Sequence, residues 1–512
     1  MVRSAIVLPE LTEAVANYLE QVDLANCVQV CKAWSEVFTP LLYHHVQVLT
    51  SSHGMFRAKT PWEALQKHSS HVRTITVTTG EFPSLELWGS DCRNLTALYL
   101  GPLQTVFQRS LWCSRLMVLI ANNPSIHTLK VYLYRDLARD ILHQYKALKH
   151  LPALKNLLLL KDPSTRGSYW SDVAFQEILE GGHRLENLVC DFQYGGTTSL
   201  DTTMEETIHH QMWTEIKSLQ VYDQIGSRAI ELAQRCPNLT RLNVKLMDYY
   251  NKHCSILQQM TRHFQSGHLS RLEHLEISGL DVGSRGGGGG GGGGSVVEST
   301  IRDFLRVCAS TTALKTFCLD GFYVSDELLT ELWRYHAGSL ENLSIMEKKG
   351  LQSSNVLQAL SSCPNLRLFK GRLSRESLYL EDLVRSPWIC KDLRVLHLVS
   401  SDRIELDDEM FASVIESPAD TSSWPRSNIA WQRQVWAQIG ALKNLETLHL
   451  SIHNEHCEIE IFSFSNGGME HILGLKRLTE LGIPEEGKES FMNNQDKQDL
   501  MQRRPRLRIL YI

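Results

Sequence analysis

The 512-residue chain lacks the features that mark several broad classes of protein. It has no run of about 18 consecutive apolar residues, which argues against a membrane span. Its opening, MVRSAIVLPE, holds only a four-residue apolar run, too short for a signal peptide or an anchor. Neither sign of charge dominates, because 52 Lys and Arg stand against 57 Asp and Glu. We therefore expect no nucleic-acid partner and no membrane partner.

Motifs of known catalytic sites are also missing. No Gly-x-Ser-x-Gly elbow occurs, and no cysteine is marked as a nucleophile by its sequence context. The most metal-like cluster joins His453, His456 and Cys457 to Glu458 and Glu460, but it has no second ligand pair at zinc-finger spacing. We expect no catalytic residues, no metal, no cofactor and no enzymatic activity. An enzyme with an unrecognised site is kept as an alternative.

Twelve cysteines would suffice for a disulfide framework, but their positions do not favour one. Cys27 and Cys31 fall on an apolar helical stripe, and Cys190 and Cys318 fall inside apolar strand patterns. Such positions are typical of small buried hydrophobic side chains in a reducing compartment. We therefore expect a cytoplasmic and/or nuclear protein.

The first informative segment lies close to the start of the chain and reads LPELTEAVANYLEQVDLANCVQVCKAWSEVFTPLL. Leu11, Val15 and Tyr18 or Leu19 recur at helical spacing, and Asp23 is placed to cap a second helix. This pattern predicts a small unit of two or three helices. The apolar positions of the second run are Leu24, Cys27, Val28, Cys31, Trp34 and Phe38.

Several short sequence motifs follow one another in this segment: Leu-Pro, Tyr-Leu, Asp-Leu-x-x-Cys, Val-Cys-Lys-x-Trp and Pro-Leu-Leu. Together they resemble an F-box, the module that plugs into the Skp-type adaptor of cullin-based ubiquitin ligases. About 40 residues bury too little apolar surface to be stable alone, so a partner groove would stabilise them. The resemblance implies that six residues either face the adaptor or support the residues that face it, and the sequence does not separate these two roles. The six are Leu8, Pro9, Leu24, Val30, Cys31 and Trp34.

A second pattern fills the rest of the chain: an apolar residue, two others, an apolar residue, one other, an apolar residue. Alternation predicts a strand in each copy, and the intervening residues suffice for a returning helix. The segment 43–49 predicts one further short strand, and Thr60, Pro61 and Glu63 predict a helix start. The fifteen copies begin at residues 72, 95, 126, 154, 185, 216, 239, 272, 314, 340, 366 (a weak copy), 393, 445, 478 and 507.

The copies share more than their apolar positions. In LKN, LEN, LEH, LKT and LET a charged residue precedes Asn, His or Thr, and Cys-Pro-Asn-Leu leads into two copies, at 236–239 and 363–366. This recurrence resembles a leucine-rich repeat array, although the Asn or Cys that usually follows the strand is missing from every copy. The resemblance implies an irregular solenoid with a parallel sheet on its concave face. An unrelated Leu-rich α/β protein is the alternative.

We therefore predict an α/β protein in three parts. An F-box-like helical domain spans 1–45, a linker with a first capping helix spans 46–70, and a leucine-rich repeat solenoid spans 71–512. Flexible insertions are expected at 281–297, which holds nine consecutive glycines, and at 401–430.

The residues between and after the buried pair of each copy should point to the concave side. Basic and acidic residues nearly balance there, which favours a protein or peptide over nucleic acid. The positions predicted to bind a target are Lys130, Tyr132, Tyr222, Arg241, Asn243, Lys245, Lys370 and Arg372.

The two resemblances together imply a substrate-recognition subunit of a Skp/cullin/F-box ubiquitin ligase. Its partners would be a Skp-type adaptor, through it a cullin, and a protein substrate that the sequence does not identify. The alternative is a non-catalytic leucine-rich-repeat scaffold that is not linked to ubiquitination.

Overall fold

The structure, a computed structural model, describes a little over half of the chain. The described residues are 14–16, 18–48, 60–77, 92–101, 118–133, 151–161, 184–192, 212–223, 232–246, 261–262, 265–267, 269–279, 302–303, 305–307, 313–320, 326–346, 351–373, 380–400, 425–451, 464, 467–483 and 491–511.

The chain divides into two compact units, Met1–Gln224 and Ile225–Ile512. The described part of the first unit opens with helices and continues as strands separated by undescribed segments. Its elements are α1 (Gln21–Val30), α2 (Lys32–Leu42), β1 (His45–Val48), α3 (Thr60–Lys67), a 3-10 turn (Ser69–His71), β2 (Thr74–Val77), β3 (Ala97–Leu100), β4 (Thr128–Leu133), β5 (Asn156–Lys161), β6 (Asn187–Phe192) and β7 (Ser218–Asp223).

The second unit has a regular alternation of strand and helix over much of its described part. Its elements are β8 (Arg241–Leu246), β9 (His274–Gly279), β10 (Thr316–Asp320), α4 (Asp326–His336), β11 (Asn342–Met346), α5 (Ser353–Ser362), β12 (Leu368–Leu373), α6 (Leu380–Val384), β13 (Val395–Ser400), α7 (Pro425–Gly440), β14 (Thr447–Ser451), α8 (Gly468–Leu473), β15 (Glu480–Ile483), α9 (Asn494–Arg503) and β16 (Arg508–Tyr511).

Within each unit, every strand pairs in parallel with the next one along the chain. The register keeps equivalent positions of the pattern side by side, as in the chain of partners Ser344, Lys370, His397 and His449. The predicted parallel sheet is therefore confirmed, and so are the fifteen strand positions and the additional short strand β1. The described part of the chain thus forms a mixed α/β fold.

Most strands begin two residues later than the pattern predicts. The first apolar residue of each copy is buried just before the strand, and in most copies its amide closes a turn by donating a hydrogen bond to a carbonyl three residues earlier. The Leu239 amide donates to the Cys236 carbonyl over 3.0 Å, and the Leu366 amide donates to the Cys363 carbonyl over 3.3 Å. The recurring Cys-Pro-Asn-Leu sequence is therefore the turn that starts a strand, with its cysteine buried.

The core is made by the apolar positions of the pattern, which stack from strand to strand. In β12 the burial alternates, with Phe369 and Gly371 inside and Lys370 and Arg372 on the other side. A Cβ at Gly371 would lie 3.2 Å from both the Phe369 ring and Leu351. The copy that looked weak in the sequence is a full strand, because the Phe369 ring fills the space of the missing side chain.

A buried asparagine links neighbouring copies in the first unit. Asn123 is fully buried and occupies the turn position that Cys236 has in a later copy. Its Oδ1 accepts a hydrogen bond from the Leu95 amide over 2.8 Å, and its Nδ2 donates to the carbonyls of Cys92 and Leu119 over 2.6 and 2.7 Å. The side chain thus replaces backbone partners that the turn does not supply.

The helix starts differ in detail from the prediction. Asp23 does not cap the second helix, because Glu20 is the N-cap and Asp23 lies in the first turn, where its Oδ2 accepts from the Glu20 amide over 3.3 Å. The run predicted as one helix is broken at Cys31, whose backbone is extended and which caps α2. The predicted helix at Thr60 is confirmed as α3.

Three other predictions fall partly or wholly outside the described residues. The nine-glycine insertion and the metal-like cluster at 453–460 lie there entirely. The second insertion, 401–430, lies there up to residue 424, and helix α7 begins at Pro425.

Candidate binding surfaces

Charged residues directly before the strands form a row along the sheet, which we call the base row. In the first unit Glu186 accepts from Lys155 over 3.0 Å and from Lys217 over 3.4 Å, one lysine on each neighbouring copy. These two hydrogen bonds lower the pKa of the Glu186 carboxyl. Three pairs continue the row in the second unit: Lys315–Glu273 at 2.7 Å, Arg367–Glu341 at 3.1 Å and Arg394–Glu446 at 3.8 Å. The charged position that the copies share in the sequence therefore forms ion pairs between neighbouring strands.

The strand residues that alternate with the buried ones form a second surface, which we call the open face. In the first unit it carries the predicted Lys130, Tyr132 and Tyr222, all half-buried. The Lys130 ammonium lies 5.2 Å from the centre of the Tyr132 ring, and the Tyr222 hydroxyl lies 2.6 Å from Gln220 Nε2. The tyrosines are held in place by these neighbours.

Sequence reasoning missed the apolar part of this open face. Leu158 and Leu160 lie on it, because they alternate with the buried Leu157 and Leu159 of β5. Leu158 is in register with Lys130, and Leu160 is in register with Tyr132. The sequence does indicate this apolar surface. A strand buried on one side should alternate apolar and polar residues, but NLLLL is a continuous apolar run. The face of this unit therefore combines aromatic, aliphatic and basic side chains.

In the second unit, the first strand carries three of the predicted residues. Arg241, Asn243 and Lys245 share the open face of β8, on the side opposite the buried Leu242 and Val244. Arg241 is in register with His274, and Asn243 is in register with Glu276. Burial, together with the positive charge of Arg241, lowers the pKa of His274. The structure therefore brings these three predicted residues together.

The other predicted pair, Lys370 and Arg372, lies on the open face of β12. Lys370 is in register with His397 of β13, which is in register with His449 of β14. The two imidazole rings stack with centroids 4.0 Å apart and planes within 7°. His449 Nε2 lies 2.7 Å from the Glu480 carboxylate. Burial, with the adjacent His449 and Lys370, lowers the pKa of His397 to about 4.

The N-terminal helices enclose only a small core of their own. Ala16, Leu24 and Phe38 are buried, and Trp34 packs against them with its ring 5.5 Å from that of Phe38. The helical pair is tied to the sheet, because Gln21 Nε2 donates to the His45 carbonyl over 2.7 Å. Strand β1, which follows α2 directly, pairs with β2.

Large apolar side chains remain on the surface of this helical segment. Tyr18 is 90% exposed, Val22 is 70% exposed, Val30 is 62% exposed and Val15 is 53% exposed. Single exposed apolar residues are normal, but so many in one short segment mark a surface that a partner can cover.

Comparison with known families identifies this helical segment. Residues 9–48 match the F-box-like family. This F-box-like segment comprises both helices and ends with β1, the first strand of the sheet. F-box domains generally bind Skp-type adaptors, so the segment suggests a role in Skp/cullin/F-box ubiquitin ligase complexes. A search of curated proteins finds no significant match to the chain.

Within the F-box-like segment, the structure separates the residues predicted to contact or support the adaptor. Leu24 is buried and Trp34 is half-buried, whereas Val30 and Cys31 are exposed. The expectation that Cys31 is a buried hydrophobic residue was wrong, because the helix breaks there and its side chain leaves the apolar stripe. The other two predicted residues, Leu8 and Pro9, lie outside the described residues.

Two features are absent from the described part of the chain. No helix in that part combines the length and apolar character needed to cross a membrane. Within the same residues, no group of three or more His, Cys, Asp or Glu side chains is placed to hold a metal ion.

Proposed function

We propose that this chain is the substrate-recognition subunit of a Skp/cullin/F-box ubiquitin ligase. The observation that carries the proposal is an F-box-like helical segment with exposed apolar residues, continued by a parallel sheet with a polar open face. The helices would bind the Skp-type adaptor and through it a cullin. The sheet would bind a protein target.

In the F-box-like segment the exposures support separate roles for the predicted residues. Val30 and Cys31 would contact the adaptor, since their side chains are available to a partner. Leu24 and Trp34 would hold the two helices together beneath that surface. Leu8 and Pro9 would contact the adaptor on the strength of the family resemblance.

The repeated unit of the sheet supports a leucine-rich repeat solenoid. Each copy supplies a turn residue and alternate strand residues to the core, and each strand pairs with its neighbours in chain order. The open face then offers one row of side chains after another to a target. The residues proposed to bind are the predicted ones: Lys130, Tyr132, Tyr222, Arg241, Asn243, Lys245, Lys370 and Arg372.

The mechanism we propose is proximity. Holding the ligase at one site and the target at another raises the effective concentration of the target near the ubiquitin-carrying subunit. Bond chemistry would belong to the other subunits, and this chain would need no cofactor. A cytoplasmic and/or nuclear location fits such a role.

A reconstituted ligase tests the proposal against the scaffold alternative. Proteins captured from a cell extract by the full chain are incubated with adaptor, cullin, RING subunit, charged conjugating enzyme and ubiquitin. We expect ubiquitin transfer to captured proteins with the wild-type chain, but not with Val30→Lys, although both capture the same proteins. Capture without transfer by the wild-type chain would favour the scaffold.

Val30→Lys has a matched control. Val30 is the last residue of α1, where a positive charge is favourable to the helix dipole, so the variant should fold. Gln29→Lys places the same charge on the neighbouring exposed residue and should leave ubiquitin transfer unchanged.

A further inference from the structure

Two cations on β12 differ from the cations of the base row. Each base-row cation described above lies within 4 Å of a glutamate on a neighbouring copy. Among the residues that the structure describes, no carboxylate forms an ion pair with Lys370 or Arg372. Both are half-buried, so their charges are only partly hydrated. The open face therefore holds two positive charges that a bound anion would neutralise.

The same place holds two polar nitrogen atoms with unmet hydrogen bonds. Arg372 Nε and His397 Nε2 are both buried, and neither has a hydrogen-bond partner in the described structure. Buried polar groups are nearly always paired, because an unpaired one loses its hydrogen bonds to water without replacing them. Lys370 and His397 are cross-strand partners, and Arg372 lies two residues along from Lys370 on the same face. The two nitrogen atoms with unmet hydrogen bonds and the two unpaired charges are thus neighbours.

The surroundings keep these groups in position and limit what fits between them. His397 stacks on His449, whose Nε2 lies 2.7 Å from the Glu480 carboxylate. Aliphatic side chains border the cations on the same face: Leu368 and Val395 are in register at the start of the strands, and Val399 is in register with Arg372. A ligand must therefore bring an acidic group with apolar neighbours.

We propose that Lys370, Arg372 and His397 form a subsite for an Asp or Glu side chain of the target protein, flanked by apolar residues of the same segment. This inference rests on the proposed function, because the target is what the receptor would present to the ligase. The Arg372 guanidinium and the Lys370 ammonium would pair with the carboxylate, and His397 would donate from Nε2. Apolar neighbours of the acidic residue would pack on Leu368 and Val399.

A carboxylate fits this subsite better than a phosphate group. Glu276 lies at the level of Lys370 three strands away on one side, and Glu480 lies three strands away on the other side at the level of Leu368. These carboxylates oppose additional negative charge on the open face. Because these two carboxylates flank the two cations, the site suits the single negative charge of a carboxylate better than the nearly double negative charge of a phosphate group.

The test uses three fluorescein-labelled peptides, Ser-Leu-X-Leu-Ser, in which X is Glu, Gln or phosphoserine. Each is titrated to millimolar concentration against the full chain, and binding is followed by polarisation and by the imidazole resonances of His397. We expect the Glu peptide to bind at least about tenfold more tightly than the Gln peptide. The Lys370→Gln/Arg372→Gln variant should remove this difference.

The matched control is Arg367→Gln/Arg394→Gln, which also removes two positive charges but takes them from the base row. It should keep the preference for Glu. Equal binding of Glu and Gln peptides, no binding of either, or a preference that survives in Lys370→Gln/Arg372→Gln would overturn the subsite. Tighter binding of the phosphoserine peptide than of the Glu peptide would overturn the choice of a carboxylate.

Adaptor binding measured on the same samples separates this inference from the proposed function. Intact adaptor binding without any preference for Glu would reject the subsite and leave the receptor standing. A clear preference for Glu without adaptor binding would reject the receptor and keep the subsite as a property of the sheet.

Discussion

The F-box-like segment and the strand array bury their apolar side chains to very different extents. Among the described residues of the F-box-like segment, the buried core consists of Ala16, Leu24 and Phe38, and residues such as Tyr18 and Val30 are left on the surface. In the array the apolar residues on the core side of each strand pack against those of the neighbouring copies, and most of those described are completely buried, although Leu510 and Tyr511 of the last strand are exposed. The array supplies its own stabilising partner, copy by copy, while the helical pair leaves apolar surface for another molecule.

The largest expected effect comes from the same substitution made in both regions. Phe369→Ala removes a fully buried ring from the array and should lower the unfolding free energy of the second unit by about 3–5 kcal/mol. Phe38→Ala should leave that transition unchanged and loosen only the helical pair. Urea unfolding followed by fluorescence measures the first effect, and hydrogen exchange of α1 and α2 measures the second. A shared transition affected equally by both variants would contradict the contrast.

A slightly smaller loss is expected from Asn123→Ala. The substitution leaves the Leu95 amide and two carbonyls without their buried partners, which should cost about 3 kcal/mol in the unfolding free energy. Ser125→Ala is the matched control, because its hydroxyl makes one such bond, to the Leu95 carbonyl. Thermal unfolding should rank the two variants in this order. The reverse order would show that the turn does not depend on the asparagine.

Mild acid should lower the unfolding free energy of the second unit, because this unit contains a buried histidine. Burial lowers the pKa of His336 below its usual 6.5, although its contact with the Leu305 carbonyl acts in the opposite direction. The unfolded chain therefore takes up a proton first, and stability falls as the pH drops from 6.5 towards the lower pKa of the folded state. His336→Gln should flatten this dependence in melting experiments between pH 7 and 5. An unchanged slope would contradict the assignment.

The smallest expected effect is on the base row. Glu186→Gln removes the negative charge that two exposed lysines share and should lower the melting temperature only slightly, less than any change above. The difference should vanish in high salt, because exposed ion pairs are screened. A loss that persists in high salt would indicate packing rather than charge.

Much of this architecture could be predicted because its physical cause is local. Alternation of apolar and polar residues favours a strand independently of the rest of the chain, so the strand positions were predictable from the apolar pattern. The two-residue offset was not, because the first apolar residue of each copy serves the turn before the strand. The weak copy at Gly371 depends on the Phe369 ring folding into the glycine's space, which pattern matching does not detect.

The binding surfaces were less predictable, since exposure depends on tertiary contacts. The stripe of Val15 and Tyr18 predicts a buried helix face, yet both side chains are exposed. Cys31 breaks a run that helical periodicity alone would continue. On the sheet, Lys370 and Arg372 were predicted from their alternating positions in the repeat, but the pairing of His397 with Lys370 became known only through the register of β12 and β13.

The most direct test of the contrast is calorimetric titration of the full chain with a purified Skp-type adaptor. The account predicts that the wild-type chain and the Lys370→Gln/Arg372→Gln variant bind equally. Val30→Lys should bind at least about tenfold more weakly, a loss of about 1.4 kcal/mol, with its unfolding transition unchanged. No binding by the wild-type chain, or equal binding by Val30→Lys, would contradict the assignment of the exposed helical surface to a ligase adaptor.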